Sequence, residues 1–365
     1  MNIGIIDADL LDKGTRHPNL ALMKISGYYK ALGDKVELLR YYDDIPNYDK
    51  VFISKVFDFT KTPDLSIYDN IEIGGTGFFG IKAKNLPHEI EHHMPDYHLY
   101  DKYIEMEIAK GVKASKFNDY KEASIGFITR GCFRKCPFCV NRKYDKPVKH
   151  SDINEFLDKD RKYMYFWDDN FLAYPHWKEE LEKIKAVNKP FEFRQGLDIR
   201  LMTDEKAQAL NKMKYHGDWM FAFDSIKDRD LIESKLKMWR KYCKKQTRLY
   251  VLVAYESQDI SDIINTFERI KILMKYGCVP YIMRYKDYKN SEMRGMYITL
   301  ARWCNQVSFY KKKSFRQYCT DASGNGIGSS AYRYMSEFEK LYPEVAKKYF
   351  DLRFEDENMF HKSDK

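Results

Sequence analysis

From residue 124 onward, short apolar runs alternate with longer stretches whose apolar residues recur at helical spacing. The runs are "SIGFITR" (124–130), "YMYFWDD" (163–169), "FEFRQG" (191–196), "WMFAFDS" (219–225), "LYVLVAY" (249–255) and "VPYIMRY" (279–285). Each is strand-length, rich in aromatic and β-branched residues, and bounded by polar turns. Helical stretches fall at roughly 151–160, 176–188, 203–215, 228–245 and 260–276, with Thr203 and Ser261 placed as N-caps, each followed by an acidic residue. Strands and helices alternating in this way predict a parallel sheet with right-handed crossovers. Six repeats fall short of the eight that close a barrel, so an open, partial barrel is expected.

The first hundred residues carry a shorter version of the same alternation. "NIGIID" (2–7) reads as a buried parallel strand and "NLALMKISGYYKALG" (19–33) as a helix stopped by Gly33. "KVELL", "KVFISKVF" (50–57) and "NIEIGGTGF" (70–78) follow as strands, opening a small doubly wound sheet. Gly74 and Gly75 stand where such a sheet either turns or holds a ligand. Residues 84–120 read as a polar connector between domains. Past about residue 305, "CTDASGNGIGSS" (319–330) reads as a loop over the barrel mouth, and "AYRYMSEFEKLYPEVAKKYF" as a helix. That Gly/Ser segment does not follow a strand and open a helix as a phosphate-binding loop does. The expected division is therefore a Rossmann-like domain with its connector (1–115), a partial barrel (116–305) and a helical C-terminal extension (306–365).

Composition narrows the setting. No run approaches the roughly 20 apolar residues of a membrane span, and the N-terminus lacks the features of a signal peptide. A cytoplasmic protein without membrane contact is expected. Thiols stay reduced there, so clustered cysteines point to metal or chemistry before disulfides. The net charge of +9 is spread along the chain, with local runs at Lys311–Lys313 and around Arg240–Lys245. It suits either solvated helix faces or a surface for nucleic acid or another polyanion.

Three of the seven cysteines crowd into "TRGCFRKCPFCVNRK" (129–143), directly after the first barrel strand. Cys132, Cys136 and Cys139 are spaced C-x3-C-x2-C on a loop at a strand's C-terminal end, where parallel barrels build active sites. Structural zinc takes a fourth Cys or His, and the next candidate, His150, lies eleven residues on without a second paired motif. An iron–sulfur cluster on three cysteines instead keeps one iron open for a substrate or cofactor. Cys243, Cys278, Cys304 and Cys319 are widely spaced and read as buried thiols, with Cys304 or Cys319 a residual candidate for substrate chemistry.

This loop resembles the signature of the radical S-adenosylmethionine (SAM) superfamily, C-x3-C-x-Φ-C, with Phe138 at the aromatic place. The resemblance covers residues about 122–290. It implies a TIM-type (β/α)6 partial barrel and a 4Fe–4S cluster on Cys132, Cys136 and Cys139, its open iron chelated by SAM. It also implies reductive cleavage of SAM to a 5′-deoxyadenosyl radical that abstracts hydrogen from a substrate, with flavodoxin or ferredoxin as the reductant. By the same resemblance, "WDDNF" (167–171) offers Asp168, Asp169 and Asn170 to the SAM ammonium; two carboxylates at a strand end also suit capping of the next turn. "FRQGLDIRL" (193–201) offers Arg194, Gln195, Asp198 and Arg200, a guanidinium pairing with the SAM carboxylate or merely with a neighbouring aspartate. Asp224 and Ser225 end strand four, where the family contacts the SAM ribose. Tyr255 and Arg284 end strands five and six, lining the substrate space or packing at the rim.

"RHPNLALMKISGYYKALGDKVELL" (16–39) with "NIEIGGTGF" resembles the cobalamin-binding domain that precedes many such barrels. It is short for that domain and lacks the D-x-H-x-x-G motif; His17 is in the corresponding loop. Cobalamin binding and a vestigial domain reused for packing both stay open. Two rivals follow: a cobalamin-dependent radical SAM methyltransferase, and a zinc-stabilised nucleic-acid-binding protein resting on the basic charge.

Overall fold

A computed structural model describes residues 1–360. The chain is mixed α/β and divides into two compact units, Met1–Gln195 and Gly196–Lys365.

In the first unit, β1 (Asn2–Asp7), β2 (Lys35–Leu38), β3 (Lys50–Ser54) and β4 (Ile71–Gly74) form a parallel sheet in the order β2-β1-β3-β4. β1 is buried from Ile3 to Asp7, which accounts for its unbroken apolar run. Helix Leu20–Ala31 starts at Asn19, whose side chain accepts from the Leu22 N–H, and buries Leu22, Met23 and Ile25. Gly33 closes it with φ +87°, a conformation only glycine takes easily. Residues 84–120 are not a polar connector. Ile90, Tyr97, Leu99, Tyr100, Ile104, Phe117 and Tyr120 pack into the core of this sheet. Their segments are mostly too short to show a helical period, so single apolar residues among charges read as surface.

The chain then adds β5 (Ala123–Gly126), the two-residue strands β6 (Thr129–Arg130) and β7 (Val148–Lys149), then β8 (Tyr163–Phe166) and β9 (Phe191–Phe193). β5, β8 and β9 form a parallel sheet in that order, whereas β6 and β7 pair antiparallel. "SIGFITR" is therefore two strands with a break between. The helix expected at 151–160 is a single 3-10 turn, Ile153–Glu155, closed by a capping box between Asp152 and Glu155. Beyond it Phe156 is drawn into the core against Gly126, where a Cβ would lie 2.3 Å from its ring, and the Tyr97 hydroxyl donates to its carbonyl.

The second unit holds β10 (Trp219–Ala222), β11 (Thr247–Val253) and β12 (Val279–Arg284), again parallel. Leu197 forms an isolated parallel bridge with Phe221 of β10. All six strands expected of the barrel series are present, as two three-stranded parallel sheets, one in each unit. Thr203 caps helix Asp204–Asn211 as expected. Ser261 does not cap the helix it was expected to start: Asp259 does, accepting from the Ser261 N–H, and that helix runs Ile260–Lys275. The C-terminal helix is two, Ser330–Leu341 and Pro343–Tyr349, because Pro343 has no N–H to continue the first and opens the second. Among the described residues no helix is long and apolar enough to cross a membrane.

Candidate iron–sulfur site

The cysteine loop hangs from the C-terminal end of β5 and is fastened by the residues that end β8. Past Gly126 the chain leaves the sheet, and the buried Asp168 carboxylate takes the Ile128 N–H (3.1 Å), the Thr129 N–H (2.6 Å) and the Thr129 hydroxyl (2.7 Å). Asp169 grips both limbs of the loop, accepting from the Gly131 N–H (2.6 Å) and from Asn141 Nδ2 (2.6 Å). β6 and β7 then close the loop like a clasp, with Thr129 opposite Lys149 and Arg130 opposite Val148. Gly131 turns the chain at φ +100°, and a Cβ there would sit 2.4 Å from the Lys146 carbonyl oxygen.

Within the clasp the three thiols are partly exposed. The Cys139 N–H donates to the Cys136 carbonyl. Hydrogen bonds reach Cys132 and Cys139: Arg134 N–H to Cys132 Sγ (3.4 Å), Asn141 N–H to Cys139 Sγ (3.4 Å) and Asn170 Nδ2 to Cys132 Sγ (3.3 Å). Burial pushes the Cys139 thiol up, and the neighbouring Cys136, Asp169 and Cys132 add to this against the Asn141 N–H. A bound cation would reverse that balance. Arg130 lies over the Phe127 ring, 4.0 Å from its centroid, and 3.5 Å from Asp169. Phe138 is half-buried in the same loop.

Among the described residues, no three His, Cys, Asp or Glu side chains converge as a single ion requires. A cubane takes each thiolate on a different iron, so its ligands span a wider space. His150 does not turn to the thiols: Nε2 faces Glu91 Oε1 at 3.3 Å, Nδ1 meets Ser151, and its ring stacks on His92. One further atom fits a cofactor. Asn170 is almost fully buried and its Oδ1 has no donor, an unmet acceptor beside Cys132.

The sequence candidates fall into two groups. The cysteines, Phe138, Asp168, Asp169, Asn170 and Arg194 belong to the first unit. Arg194 ends β9 with its guanidinium on Glu192 (3.1 Å) and Asp119 (3.0 Å) and beside His17. Asp198, Arg200, Asp224, Ser225, Tyr255 and Arg284 belong to the second. There Asp198 and Asp228 take Arg200 at 2.7 and 2.8 Å. The Ser225 hydroxyl donates to Glu256, Tyr255 meets the Tyr285 ring edge-on, and Arg284 lies over Tyr288. Asp224 and Tyr255 line a small crevice, with room for about one water, together with Glu256, Asp262 and Arg269. Burial pushes the Asp224 carboxyl up to about 6, against the pull of Arg269 and Arg200.

Sequence reasoning passed over Thr129, Asn141 and Arg269. Arg269 is 2% exposed, and its Nη1 donates to the carbonyls of Phe223, Asp224 and Leu252. The signal available was a charge inside the apolar stripe Ile263, Phe267 and Ile270 of its helix. Cys243, Cys278, Cys304 and Cys319 are buried, as expected.

No protein-family model matches the chain, and no curated protein matches it. Among solved structures, the radical S-adenosylmethionine methyltransferase TsrM from Kitasatospora setae, with cobalamin and a 4Fe–4S cluster bound, is similar in fold. The match covers 78% of this chain and 72% of that one, at a TM-score of 0.50 and 11% identity.

Proposed function

We propose that this chain is a radical SAM enzyme, holding a 4Fe–4S cluster on Cys132, Cys136 and Cys139 and abstracting hydrogen from a substrate its sequence does not name. The observation that carries the reading is the fastened loop: three thiols in C-x3-C-x2-C, gathered at a strand end by Asp168, Asp169 and the β6–β7 clasp. When bound, the cluster and SAM supply a reducing electron and a 5′-deoxyadenosyl radical. The chain's part is to bind, orient and exclude water. Asn170 supports this, its Nδ2 on Cys132 and its Oδ1 buried and ready to accept from the SAM ammonium. Asp168 and Asp169 are positioning residues for the loop, since backbone and side-chain donors of that loop take their oxygens. In the second unit the resemblance offers Asp198, Arg200, Asp224 and Ser225 as candidates for SAM, and Tyr255 and Arg284 as candidates for the substrate. The finer fold, a Rossmann-like domain before a partial (β/α)6 barrel, belongs to this proposal and is supported by strand order and the likeness to TsrM.

Anaerobic reconstitution tests the reading. Expected are iron and sulfide in equal amounts, a brown protein, and SAM cleavage that depends on dithionite. A Cys136→Ala variant that cleaved SAM would sink the assignment, and zinc without iron or sulfide would favour the nucleic-acid-binding rival. Cobalamin-dependent methyl transfer is the second reading, favoured by the fold likeness. A visible-spectrum titration with cobalamin that shows no binding removes it.

A further inference from the structure

The second unit's candidate residues stand where its strands end. Where β10, β11 and β12 begin, positive charge gathers with little acid to meet it. Arg248 is the second residue of β11, opposite Met220 of β10 and Val279 of β12. Lys245 precedes that strand and donates to the Tyr215 carbonyl (2.6 Å). Lys311, from helix Val307–Lys312, donates to Gln246 Oε1 (2.6 Å). Among the described residues none of these three cations pairs with a carboxylate; the nearby Asp218 takes Gln246 Nε2 instead, at 2.7 Å. Arg248 is the unusual member, because its Nε and Nη2 are enclosed and have no acceptor. Its guanidinium carbon lies 5.3 Å from the centre of the Tyr281 ring, which is 38% exposed. Buried donors in folded proteins are nearly always satisfied, and a charged one left bare is costly.

We infer that this end of the sheet binds an oxyanion, the phosphate or carboxylate of a small ligand, on the fork of Arg248. Nε–H and one Nη2–H point the same way along one edge of the planar guanidinium, the pair that grips two oxygens of one anion. Lys245 and Lys311 add positive charge around it, which raises the local concentration of anions. The fork is closed to water in this conformation, so the ligand enters as the Tyr281 ring swings aside. That enclosure favours a terminal group over a nucleic-acid backbone, whose phosphates are met along an open basic groove. The site is also separate from the residues offered to SAM. Arg248 lies five residues before Val253, the last of β11, so about 16 Å down the strand at about 3.3 Å per residue. The inference stands on the second unit alone and does not depend on the cysteine loop.

The test titrates the full chain, in a phosphate-free buffer, with inorganic phosphate and with acetate, and reads binding by calorimetry. Wild type should bind phosphate, acetate or both; phosphate alone identifies a phosphate ligand and acetate alone a carboxylate one. Arg248→Met should lose about tenfold or more in affinity. Arg248→Lys should fall between the two, because an ammonium keeps the charge without the fork. Lys237→Glu, on an exposed helix position of the same unit, should bind as wild type does. Far-UV circular dichroism checks that each variant folds. If Arg248→Met does not fold, Arg248→Lys decides, and wild-type affinity in it overturns the inference. Neither anion bound by wild type, or equal affinity in a folded Arg248→Met, also overturns it. So does a single-stranded RNA that binds through Arg248 while neither small anion does. Arg248-dependent binding in a chain that takes up no iron removes the proposed reaction and keeps this site; iron uptake and SAM cleavage without oxyanion binding does the reverse.

Discussion

Replacing Asp168 by alanine should loosen the cysteine loop before it disturbs the rest of the first unit. The carboxylate is 1% exposed and takes the Ile128 and Thr129 amides and the Thr129 hydroxyl. Thr129 can turn its hydroxyl elsewhere, but the two amides cannot move without moving the chain. A buried donor left without an acceptor costs about 1–3 kcal/mol, so the pair costs about 2–6 kcal/mol. That is enough to open the loop while the sheet behind it holds. Asp168→Asn keeps one acceptor oxygen and should lose about half as much. Because the chain has two compact units, one unfolding midpoint need not describe it; amide hydrogen exchange over 127–149, with iron bound per chain after reconstitution, reads the effect where it falls. Burial pushes the Asp168 carboxyl up to about 7 despite the Thr129 and Ile128 donors. Its folded pKa thus lies above the unfolded value of about 3.9, so the folded state holds the extra proton between them. Stability from this group falls as pH rises through that window, opposite in sign to an ion-paired carboxylate, and Asp168→Asn should remove that slope. Exchange no faster than wild type in Asp168→Ala, with full iron loading, would refute the reasoning.

Other consequences follow from the same geometry. Gly131→Ala sets a Cβ against the Lys146 carbonyl at φ +100°; a cost of about 1–3 kcal/mol and poor iron loading are expected, with the far-UV spectrum retained. Arg269→Met strips the carbonyls of Phe223, Asp224 and Leu252 of their donor and leaves Asp262 without its cation. Urea unfolding of the second unit should fall by about 3–5 kcal/mol. Burial would raise the Glu91 carboxyl, but His150 and Lys24 outweigh it and hold it down to about 2. Its contribution is therefore full above about pH 4.3 and lost as pH falls toward 2; Glu91→Gln should flatten that acid limb in a pH series of unfolding midpoints.

The strands were legible because each is a short aromatic or β-branched run, a signal contained in neighbouring residues. The cysteine spacing is equally local. What fastens it is not: Asp168 binds residues 39 and 40 positions away, and two adjacent aspartates look alike whether they cap a turn, hold a loop or meet a ligand. Ser261 and Asp259 are both good caps two residues apart, and geometry alone chooses between them. Residues 84–120 misled because Tyr97, Tyr100 and Tyr120 carry polar tips that found partners inside the core, among them Ile125, Asp7 and Thr15. Tyrosine patterns therefore say little about burial.

The clasp of β6 on β7 has a consequence for how such a loop can change over time. Its ends are tied to each other and to two residues of β8's end, so its interior can lengthen, shorten or be exchanged without shifting the register of β5 against β8. Closing the loop is already accomplished by the fold, and under the proposed function an incoming cluster would meet thiols held on one fastened loop, not a wandering chain. The cysteine segment is in that sense a cassette: it needs from its host only two parallel strands, a glycine at the turn, and an Asp-Asp pair where the second strand ends.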